Sequence, residues 1–204
     1  MTQITSVDEL ESIMGQPLPA ARDKTRRSLH ELDKLWLAGS PLVMIATSDA
    51  EGNHDVSPKG DPAGFTKVID DTTIAIPERP GNRRADGFRN ILQNPRVGLI
   101  FLIPGRGDTL RINGHAKLLT DAAYFDDMIV RNHRPAFALE VAIDEVFYHC
   151  SKAFLRSKTW EPETWTPESA PRRAVIAQTI ERPTEDLAVL DQYYGPAYAE
   201  KIYG

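Results

Sequence analysis

The segment from residue 110 to residue 118 constrains the fold most, because its side chains alternate in character along the chain. Apolar or small residues at every second position are separated by Arg111, Asn113, His115 and Lys117. This period of two is typical of a β-strand with one buried face and one polar face. A helix would scatter the same residues around its axis, so this part of the chain is predicted to lie in a β-sheet.

Six further short segments predict strands, and turn-forming residues separate several of them. Residues 49–53 and the pair Asp70 and Asp71 make turns that join the first four segments into two hairpins. The continuous apolar run at residues 42–46 indicates a strand that is buried on both faces. The six predicted strands are residues 42–46, 54–57, 65–69, 72–76, 97–103 and 136–148.

Helices are predicted before the first strand. Val7, Leu10 and Met14 are spaced to lie on one helix face, and Gly15 ends that segment. A second helix follows and stops at residues 39–41, where Gly, Ser and Pro come together. Its predicted apolar stripe consists of Leu29, Leu32, Leu35 and Trp36.

Further helices are predicted between and after the strands. One covers residues 82–93, and another covers residues 121–131 with Thr120 or Asp121 as its N-cap. The chain after residue 161 is rich in proline and then helical. Its two helical pieces, each containing tyrosine, are residues 187–194 and 197–203.

Together these elements predict a mainly β fold with helices. Six or seven strands, joined mostly by hairpins, favour an antiparallel barrel decorated by helices. At 204 residues, the chain is expected to form one compact domain. We expect an N-terminal helical cap at residues 1–40, the barrel at residues 41–160 and a C-terminal helical tail at residues 161–204.

The distribution of charge and the cysteine content limit the classes of function that the sequence supports. The net charge is −5, yet residues 78–117 contain eight Lys and Arg against three acids, a pattern that suits a small anionic ligand better than a polyanion. The first fifteen residues include Asp8, Glu9 and Glu11 and do not have the basic-then-apolar pattern of a signal peptide. No apolar run approaches the roughly 18 residues that a membrane helix needs. We therefore expect a cytoplasmic protein. The single Cys150 cannot form an internal disulfide or a cysteine zinc cluster.

Several common catalytic motifs are absent from the sequence. Gly105 and Gly107 begin like a dinucleotide-binding fingerprint, but the third glycine is missing and a strand follows. The sequence also contains no Walker-type phosphate loop, no HExxH pattern and no Gly-x-Ser-x-Gly elbow. Nucleotide-binding folds, zinc peptidases and serine hydrolases therefore have no local signal, and no metal site is expected.

The basic stretch around residue 83 is the most informative part of the sequence. Arg83 and Arg84 fall in the first turn of a predicted helix, where the helix dipole disfavours each cation by about 0.3–1 kcal/mol. A bound anion such as a phosphate monoester would resolve this conflict. The alternative is that both arginines are solvated and paired with Glu78 or Asp86, with Asn82 capping the helix.

Two further polar segments are candidates for ligand contacts. Pro58 cannot donate to a strand ladder, so its backbone is expected at an edge or bulge where a ligand can approach; the alternative is an ordinary loop with Lys59 in solvent. After residue 149, Lys152 and Arg156 would lie on one face of a short helical turn. Cys150 there is either a buried small apolar residue or a reactive thiol.

Five stretches, taken in chain order, carry a resemblance to a known family: Ser57-Pro58-Lys59-Gly60-Asp61, Pro77-Glu78-Arg79-Pro80-Gly81-Asn82-Arg83-Arg84, Asn94-Pro95-Arg96-Val97-Gly98-Leu99-Ile100-Phe101, Arg111-Ile112-Asn113-Gly114-His115-Ala116, and residues 149–160. Their order and spacing resemble the pyridoxamine 5'-phosphate oxidase-like superfamily of FMN-binding split barrels. Within it they are most similar to a branch of FMN-dependent flavoproteins without an assigned substrate. The similarity spans about residues 25–165.

This resemblance implies a homodimer with two FMN sites at the subunit interface. Arg83 and Arg84 would bind the FMN phosphate, aided by Asn82 and by Lys59. Arg111 lies where the oxidases carry a glutamine that contacts the flavin ring. The remaining implied contacts are Ser57, Pro58, Gly60 and the backbone of Ile76, Pro77 and Glu78 around the ring, with Lys152, Arg156 and Trp160 from the partner subunit.

The implied function is that of an FMN-dependent oxidoreductase that transfers a hydride to or from an unidentified small substrate. Arg111 or Lys152 is the candidate for stabilising the reduced flavin, and no side chain is assigned as an acid or base. The alternative is a carrier or sensor that binds FMN or heme without turnover. A nucleic-acid-binding barrel is disfavoured by the net charge of −5 and the aromatic content of 8%.

One departure from the family limits the substrate prediction. The vitamin B6 oxidases end in a segment that contains Arg and Trp and binds the substrate. Residues 184–204 form a predicted helical tail that does not align with it. The resemblance therefore implies flavin binding without implying oxidation of pyridoxamine phosphate.

Overall fold

Seven antiparallel strands form one sheet in the computed structural model, which describes residues 2–203. The sheet order is β2-β1-β5-β6-β7-β4-β3, so β2 and β3 are its edge strands. This is the predicted mainly β architecture, a split barrel with helices added before and after it. The strands are β1 Leu42–Ser48, β2 His54–Gly60, β3 Lys67–Asp70, β4 Thr73–Pro77, β5 Arg96–Leu102, β6 Thr109–Leu119 and β7 Ala138–His149.

The core lies on the inner face of the sheet. Ile45 of β1, Leu99 of β5 and Ile112 of β6 are directly opposite one another in register, and all three are buried. Burial alternates along β1, where Val43 is buried and Ala46 is exposed. The expectation that residues 42–46 are buried on both faces is therefore wrong, because the outer face of β1 is only partly covered: Leu42 and Met44 are half-buried and Ala46 is exposed.

Short helices flank and interrupt the sheet. The predicted helix at residues 7–14 is confirmed, and Gly15 ends it with a φ of 78°, a conformation that favours glycine. No helix within residues 2–203 has the length and apolar character needed to cross a bilayer. The helices are α1 Val7–Met14, α2 Pro19–Arg22, α3 Glu31–Gly39, α4 Asp86–Gln93, α5 Lys152–Ser157, α6 Arg173–Ile176 and α7 Leu187–Tyr193, with 3-10 turns at Asp126–Met128, Pro162–Thr164, Pro167–Ser169 and Pro196–Lys201 and a π-helical turn at Ala177–Glu181.

The two helices predicted between strands differ from the structure, as does the piece predicted at residues 197–203, where a 3-10 turn covers Pro196–Lys201. The helix expected at residues 121–131 is wrong: only Asp126–Met128 forms a 3-10 turn, and Phe125 and Met128 enter a small cluster beside β4 and β7. Apolar residues three apart occur in such a turn as well as in a helix, so their spacing could not distinguish the two. The helix predicted at residues 82–93 begins four residues later, at Asp86.

The apolar stripe predicted for α3 is also partly wrong. Leu29 and Trp36 are buried as expected, whereas Leu32 and Leu35 are exposed. The inward position between them belongs to Asp33, whose side chain is 1% exposed. A prediction of the buried helix face from apolar residues alone therefore does not identify the buried carboxylate of Asp33.

Asp33 is buried because it is fully hydrogen-bonded. The Arg26 guanidinium donates to both carboxylate oxygens, one of them at 3.0 Å, and the backbone N–H of His30 donates to the same group at 2.7 Å. Arg26 also exchanges backbone hydrogen bonds with Val146 of β7. The pair therefore attaches the segment before α3 to the barrel and caps the helix at the same time.

We predict that Asp33→Asn lowers the free energy of unfolding at pH 7 by about 2 kcal/mol, since it weakens charge-assisted bonds inside the protein. Burial alone would raise the pKa of Asp33, but the hydrogen bonds from Arg26 and from His30 outweigh it and lower the pKa below its ordinary value. The stabilisation is therefore complete above the unfolded-state pKa of about 3.9 and is lost as the pH falls through the folded-state pKa.

Urea denaturation of both proteins between pH 3 and pH 7 measures this effect. Asp23→Asn is the matched control, since its pair with Arg22 is exposed to solvent and its loss is expected to leave the free energy of unfolding nearly unchanged. A difference between wild type and Asp33→Asn that stays constant with pH would contradict the assignment.

Candidate functional site

A cavity of about 810 Å³ opens where β2, the end of β4 and the start of α4 meet. Residues 133–137, which lead into β7, form its opposite wall. Its size is within the range of about 300–1,000 Å³ that is usual for small-molecule sites. It is lined by nine of the residues that the sequence predicted for cofactor binding: Ser57, Pro58, Lys59, Gly60, Pro77, Glu78, Asn82, Arg83 and Arg84.

The strand β2 contributes side chains to the cavity through the period of two. Ser57 and Lys59 are opposite Ile45 and Val43, whose side chains are buried, so they point to the inner face of the sheet. Pro58 lies between them on an edge strand, as its missing N–H predicts.

Lys59 is a part of the cavity wall. Its ammonium group lies 2.7 Å from a carboxylate oxygen of Glu78 and 4.5 Å from the ring centre of Phe88. The side chains of Lys59 and Glu78 are 23% and 20% exposed. The alternative interpretation of Lys59 as a solvent residue in an ordinary loop is therefore wrong. An ammonium group in this position can contribute positive charge to a ligand in the cavity.

The loop between β4 and α4 turns in the left-handed region. Arg83 has a φ of 60° and Ala85 a φ of 58°, which stops the helix from extending back to Asn82. Asn82 does not cap α4; its side-chain oxygen accepts a hydrogen bond from the backbone N–H of Arg84 at 3.0 Å. Non-glycine residues in this region are uncommon, carry backbone strain and are enriched at functional sites.

This turn leaves the start of α4 open to the cavity. Ala85 is the N-cap residue and no side chain caps the helix. The first backbone N–H groups and the positive end of the helix dipole are therefore available for an anion. Gly87 in the first turn is packed so closely against β2 that a Cβ there would lie 2.8 Å from a carboxylate oxygen of Asp55.

The two adjacent arginines have different environments. Arg84 is paired with Asp86, and this hydrogen bond raises the pKa of Arg84 above its ordinary value. The alternative interpretation, in which both arginines pair with Glu78 or Asp86, therefore holds for Arg84 and its partner Asp86 only. Within residues 2–203, no ion-pair partner is found for Arg83. One guanidinium at the cavity is thus free to bind an anion without giving up a partner.

A buried ion pair links three walls of the cavity. Arg79, two residues after β4, donates to Asp61, directly after β2, at 2.6 Å. The same guanidinium donates to the carbonyl oxygens of Met128 at 2.7 Å and His133 at 3.2 Å. The sequence placed Arg79 in a motif without assigning it this role, because nothing local to residue 79 indicates that the chain returns fifty residues later.

The wall at residues 133–137 was also missed by sequence reasoning. His133, Arg134, Pro135, Ala136 and Phe137 all line the cavity. Phe137 packs edge-to-face against Phe88 of α4, with ring centres 4.8 Å apart. The only sequence signal there is the proline before a predicted strand, which does not identify a ligand-facing segment.

Residues 29–150 match the family model described as pyridoxamine 5'-phosphate oxidase. This match covers the whole sheet and all of the cavity wall described above. The chain belongs to the pyridoxamine 5'-phosphate oxidase family. The resemblance inferred from the five sequence stretches is thereby confirmed. No curated protein sequence gives a significant match to the chain.

Several solved structures are similar to this member of the family. HupZ of Group A Streptococcus is 22% identical, with 59% of this chain and 93% of that chain covered and a TM-score of 0.48. An FMN-binding protein of Syntrophomonas wolfei is 14% identical, with 59% and 90% covered and a TM-score of 0.44. HutZ, the heme storage protein of Vibrio cholerae, is 16% identical, with 59% and 93% covered and a TM-score of 0.42.

Five of the residues predicted for the site do not line the cavity of this chain. Ile76 is 2% exposed and belongs to the core. Arg111 is adjacent to Ile112 on β6 and therefore points to the outer face of the sheet, with its guanidinium 5.0 Å from the ring centre of Phe147. The other three lie after β7: Lys152 and Arg156 on α5, and Trp160 just beyond it.

We predict that Ala85→Gly raises the free energy of unfolding by about 0.5–1 kcal/mol, because glycine adopts the left-handed conformation without a Cβ clash. Ala38→Gly is the control, since Ala38 is exposed within α3 and glycine there should lower the same quantity by about 0.5–1 kcal/mol. Denaturant titrations give both values. A loss of stability in Ala85→Gly would show that the left-handed turn is not strained.

Proposed function

We propose that this protein binds FMN in the cavity and acts as an FMN-dependent oxidoreductase on a small substrate. The observation that carries the proposal is the combination of an open helix start, an unpaired Arg83 and a nearby Lys59 at one large cavity. This combination is suited to a phosphate group. Membership of the pyridoxamine 5'-phosphate oxidase family supports FMN as the phosphate-bearing ligand.

The residues present fit FMN. The phosphate would lie at Arg83, Arg84 and the first N–H groups of α4, where donors and positive charge are concentrated. The planar ring needs apolar walls, and Phe88 and Phe137 supply aromatic surface in the same cavity.

We further propose that a homodimer completes the site. Arg111 points to the outer face of the sheet, opposite to the face that lines the cavity, so it cannot reach a flavin bound by its own chain there. Its Nε atom is buried and has no hydrogen-bond partner among residues 2–203. A buried donor without a partner is costly, which favours a ligand or a second chain at this position. Lys152, Arg156 and Trp160 are proposed to approach the flavin from the same partner subunit.

When bound, FMN would supply the hydride chemistry. The residues of this chain bind the phosphate, orient the ring and exclude water through Phe88, Phe137 and Pro58. Arg111, or Lys152 in its place, would stabilise negative charge on the reduced ring at its N1 and C2 carbonyl side. No residue of this chain is proposed to move a proton.

The first test is a titration of the purified protein with FMN, followed by a screen of reductants that is read by flavin bleaching. Bleaching by a reduced nicotinamide cofactor or by reduced deazaflavin F420 supports an oxidoreductase. A stable flavin complex that none of them reduces supports the carrier or sensor alternative. A protein that binds no FMN refutes both flavin assignments, and a heme titration then tests the remaining one.

We predict that the double variant Arg83→Ala, Arg84→Ala weakens FMN binding by about 3 kcal/mol, or roughly 100-fold in Kd. The loss arises because two charge-assisted contacts to the phosphate disappear. Riboflavin lacks the phosphate, so its affinity should be equal in wild type and variant. Fluorescence titrations with both flavins give the four Kd values.

Arg172→Ala is the matched control, because Arg172 forms an exposed pair with Asp191 that resembles the pair of Arg84 with Asp86. It should leave the FMN affinity unchanged. Equal losses for FMN and riboflavin in the double variant would contradict the phosphate assignment.

We predict that Arg111→Met makes the two-electron reduction potential of bound FMN more negative by about 30 mV, which corresponds to about 1.4 kcal/mol. Loss of the guanidinium removes stabilisation of the reduced flavin anion. Arg96→Met changes an exposed arginine of β5 and should leave the potential unchanged. Spectroelectrochemical titration measures the potentials of both variants. An unshifted potential in Arg111→Met would contradict the role of Arg111 in stabilising the reduced flavin. Lys152→Met would then test the other candidate.

A further inference from the structure

Tyr203 connects two separate walls of the cavity. Its hydroxyl group donates a hydrogen bond to Asp61, directly after β2. Its ring stacks on the imidazole of His133, with ring centres 5.8 Å apart and planes inclined by 26°. The guanidinium of Arg131 lies 5.2 Å from the centre of the same ring. One side chain thus contacts both the end of β2 and the turn that precedes the 133–137 wall.

Asp61 depends on Tyr203 for part of its hydrogen bonding. Its side chain is 2% exposed, so both carboxylate oxygens need donors. Arg79 supplies one oxygen with a donor at 2.6 Å, and Tyr203 supplies the other. The hydrogen bond to Asp61 and burial raise the pKa of Tyr203, so its hydroxyl remains a donor at neutral pH. Without the Tyr203 hydroxyl, one buried carboxylate oxygen of Asp61 would lose the hydrogen-bond donor that Tyr203 supplies.

The turn under the Tyr203 ring is strained. Arg131 and Asn132 have φ values of 48° and 65°, and they form a two-residue turn in which Val130 and His133 exchange backbone hydrogen bonds at 2.8 and 3.3 Å. Left-handed residues in this type of turn are normally glycine, asparagine or aspartate, so Arg131 is an unfavourable choice. Such a conformation persists where the surroundings impose it.

The same turn leads directly into the cavity wall. His133 contacts Tyr203 through its ring and Arg79 through its carbonyl oxygen, and it lines the cavity. A substitution at Tyr203 therefore affects residues 133–137 through two contacts of His133: its ring stacks on Tyr203, and its carbonyl oxygen accepts from Arg79, the partner of Asp61.

We propose that Tyr203 is a positioning residue that fixes the wall at residues 131–137 and thereby slows the exchange of ligand with the cavity. It acts through Asp61, Arg79 and His133 and does not line the cavity. The chain after α7, which has no part in the proposed FMN contacts, thereby has a role in holding the cavity wall. It rests on the proposed function only in using FMN as a probe.

The first experiment compares Tyr203→Phe and Tyr203→Leu with wild type by hydrogen–deuterium exchange, without any ligand. Peptides that cover residues 129–137 should exchange about fivefold faster in Tyr203→Phe and faster still in Tyr203→Leu, which loses the stacking as well. Peptides of β1 and β6 should be unchanged. Tyr198→Phe is the matched control, because Tyr198 lies in the same segment and is exposed. Unchanged exchange at residues 129–137 in both Tyr203 variants would overturn the proposal.

The second experiment measures FMN release by stopped flow after mixing the complex with an excess of apo-flavodoxin or another flavin trap. Tyr203→Phe should release FMN about fivefold faster than wild type, while Tyr198→Phe should not differ. If Tyr203→Phe releases FMN at the wild-type rate although its hydrogen–deuterium exchange is faster, the claim that Tyr203 slows ligand release is overturned. If wild type binds no FMN, the flavin assignment fails, and the exchange experiment still decides whether Tyr203 fixes this wall.

Discussion

The cavity depends on one buried ion pair, between Arg79 and Asp61. β2 and β4 are not neighbours in the sheet, and the segment between Met128 and His133 belongs to neither strand. A single guanidinium reaches all three, because its planar fork presents donors in several directions at once. Asp61 is almost completely buried, so removal of either partner would leave an uncompensated charge or donor inside the protein. The pair therefore fixes where the walls stand before any ligand is present.

The left-handed turn at residues 83–85 is the second constraint, and it has the opposite effect on stability. A helix that began at Asn82 would place both arginines in its first turn, against the dipole. The turn at Arg83 and Ala85 instead moves the arginines out of the helix and leaves its first N–H groups uncapped. Strain and open donors reduce stability in the free protein, and the proposed anion would compensate for this cost on binding. This local arrangement explains why a basic loop precedes a helix that starts without a capping side chain.

The sequence could predict the strands far better than the site. Alternation, continuous apolar runs and turn residues located all seven strands because these signals are local, as at residues 110–118, at residues 42–46 and at Asp70 and Asp71. They could not distinguish a 3-10 turn from a helix at Phe125 and Met128, nor foresee that Asp33 is buried through Arg26. The basic loop at residues 82–84 was predicted as a phosphate site from its arginines, and it does line the cavity, whereas the wall at residues 133–137 was not predicted. Its position depends on contacts with Arg79 and Tyr203, which are distant in sequence and invisible to any local pattern.

Because side chains alternate between the two faces of a strand, the predicted site residues of one chain cannot all face the same cavity. Ser57 and Lys59 share the inner face with Ile45 and Val43, whereas Arg111 must share the outer face with Ile100, its partner on β5. A shift of register by one residue would bring Arg111 inward, but it would also expose Leu110 and Ile112, which are both fully buried. The hydrophobic core thus fixes the orientation of Arg111. If Arg111 contacts the same ligand as Lys59, the two residues must come from different chains. The proposed dimer is therefore a geometric consequence of the proposed flavin contacts.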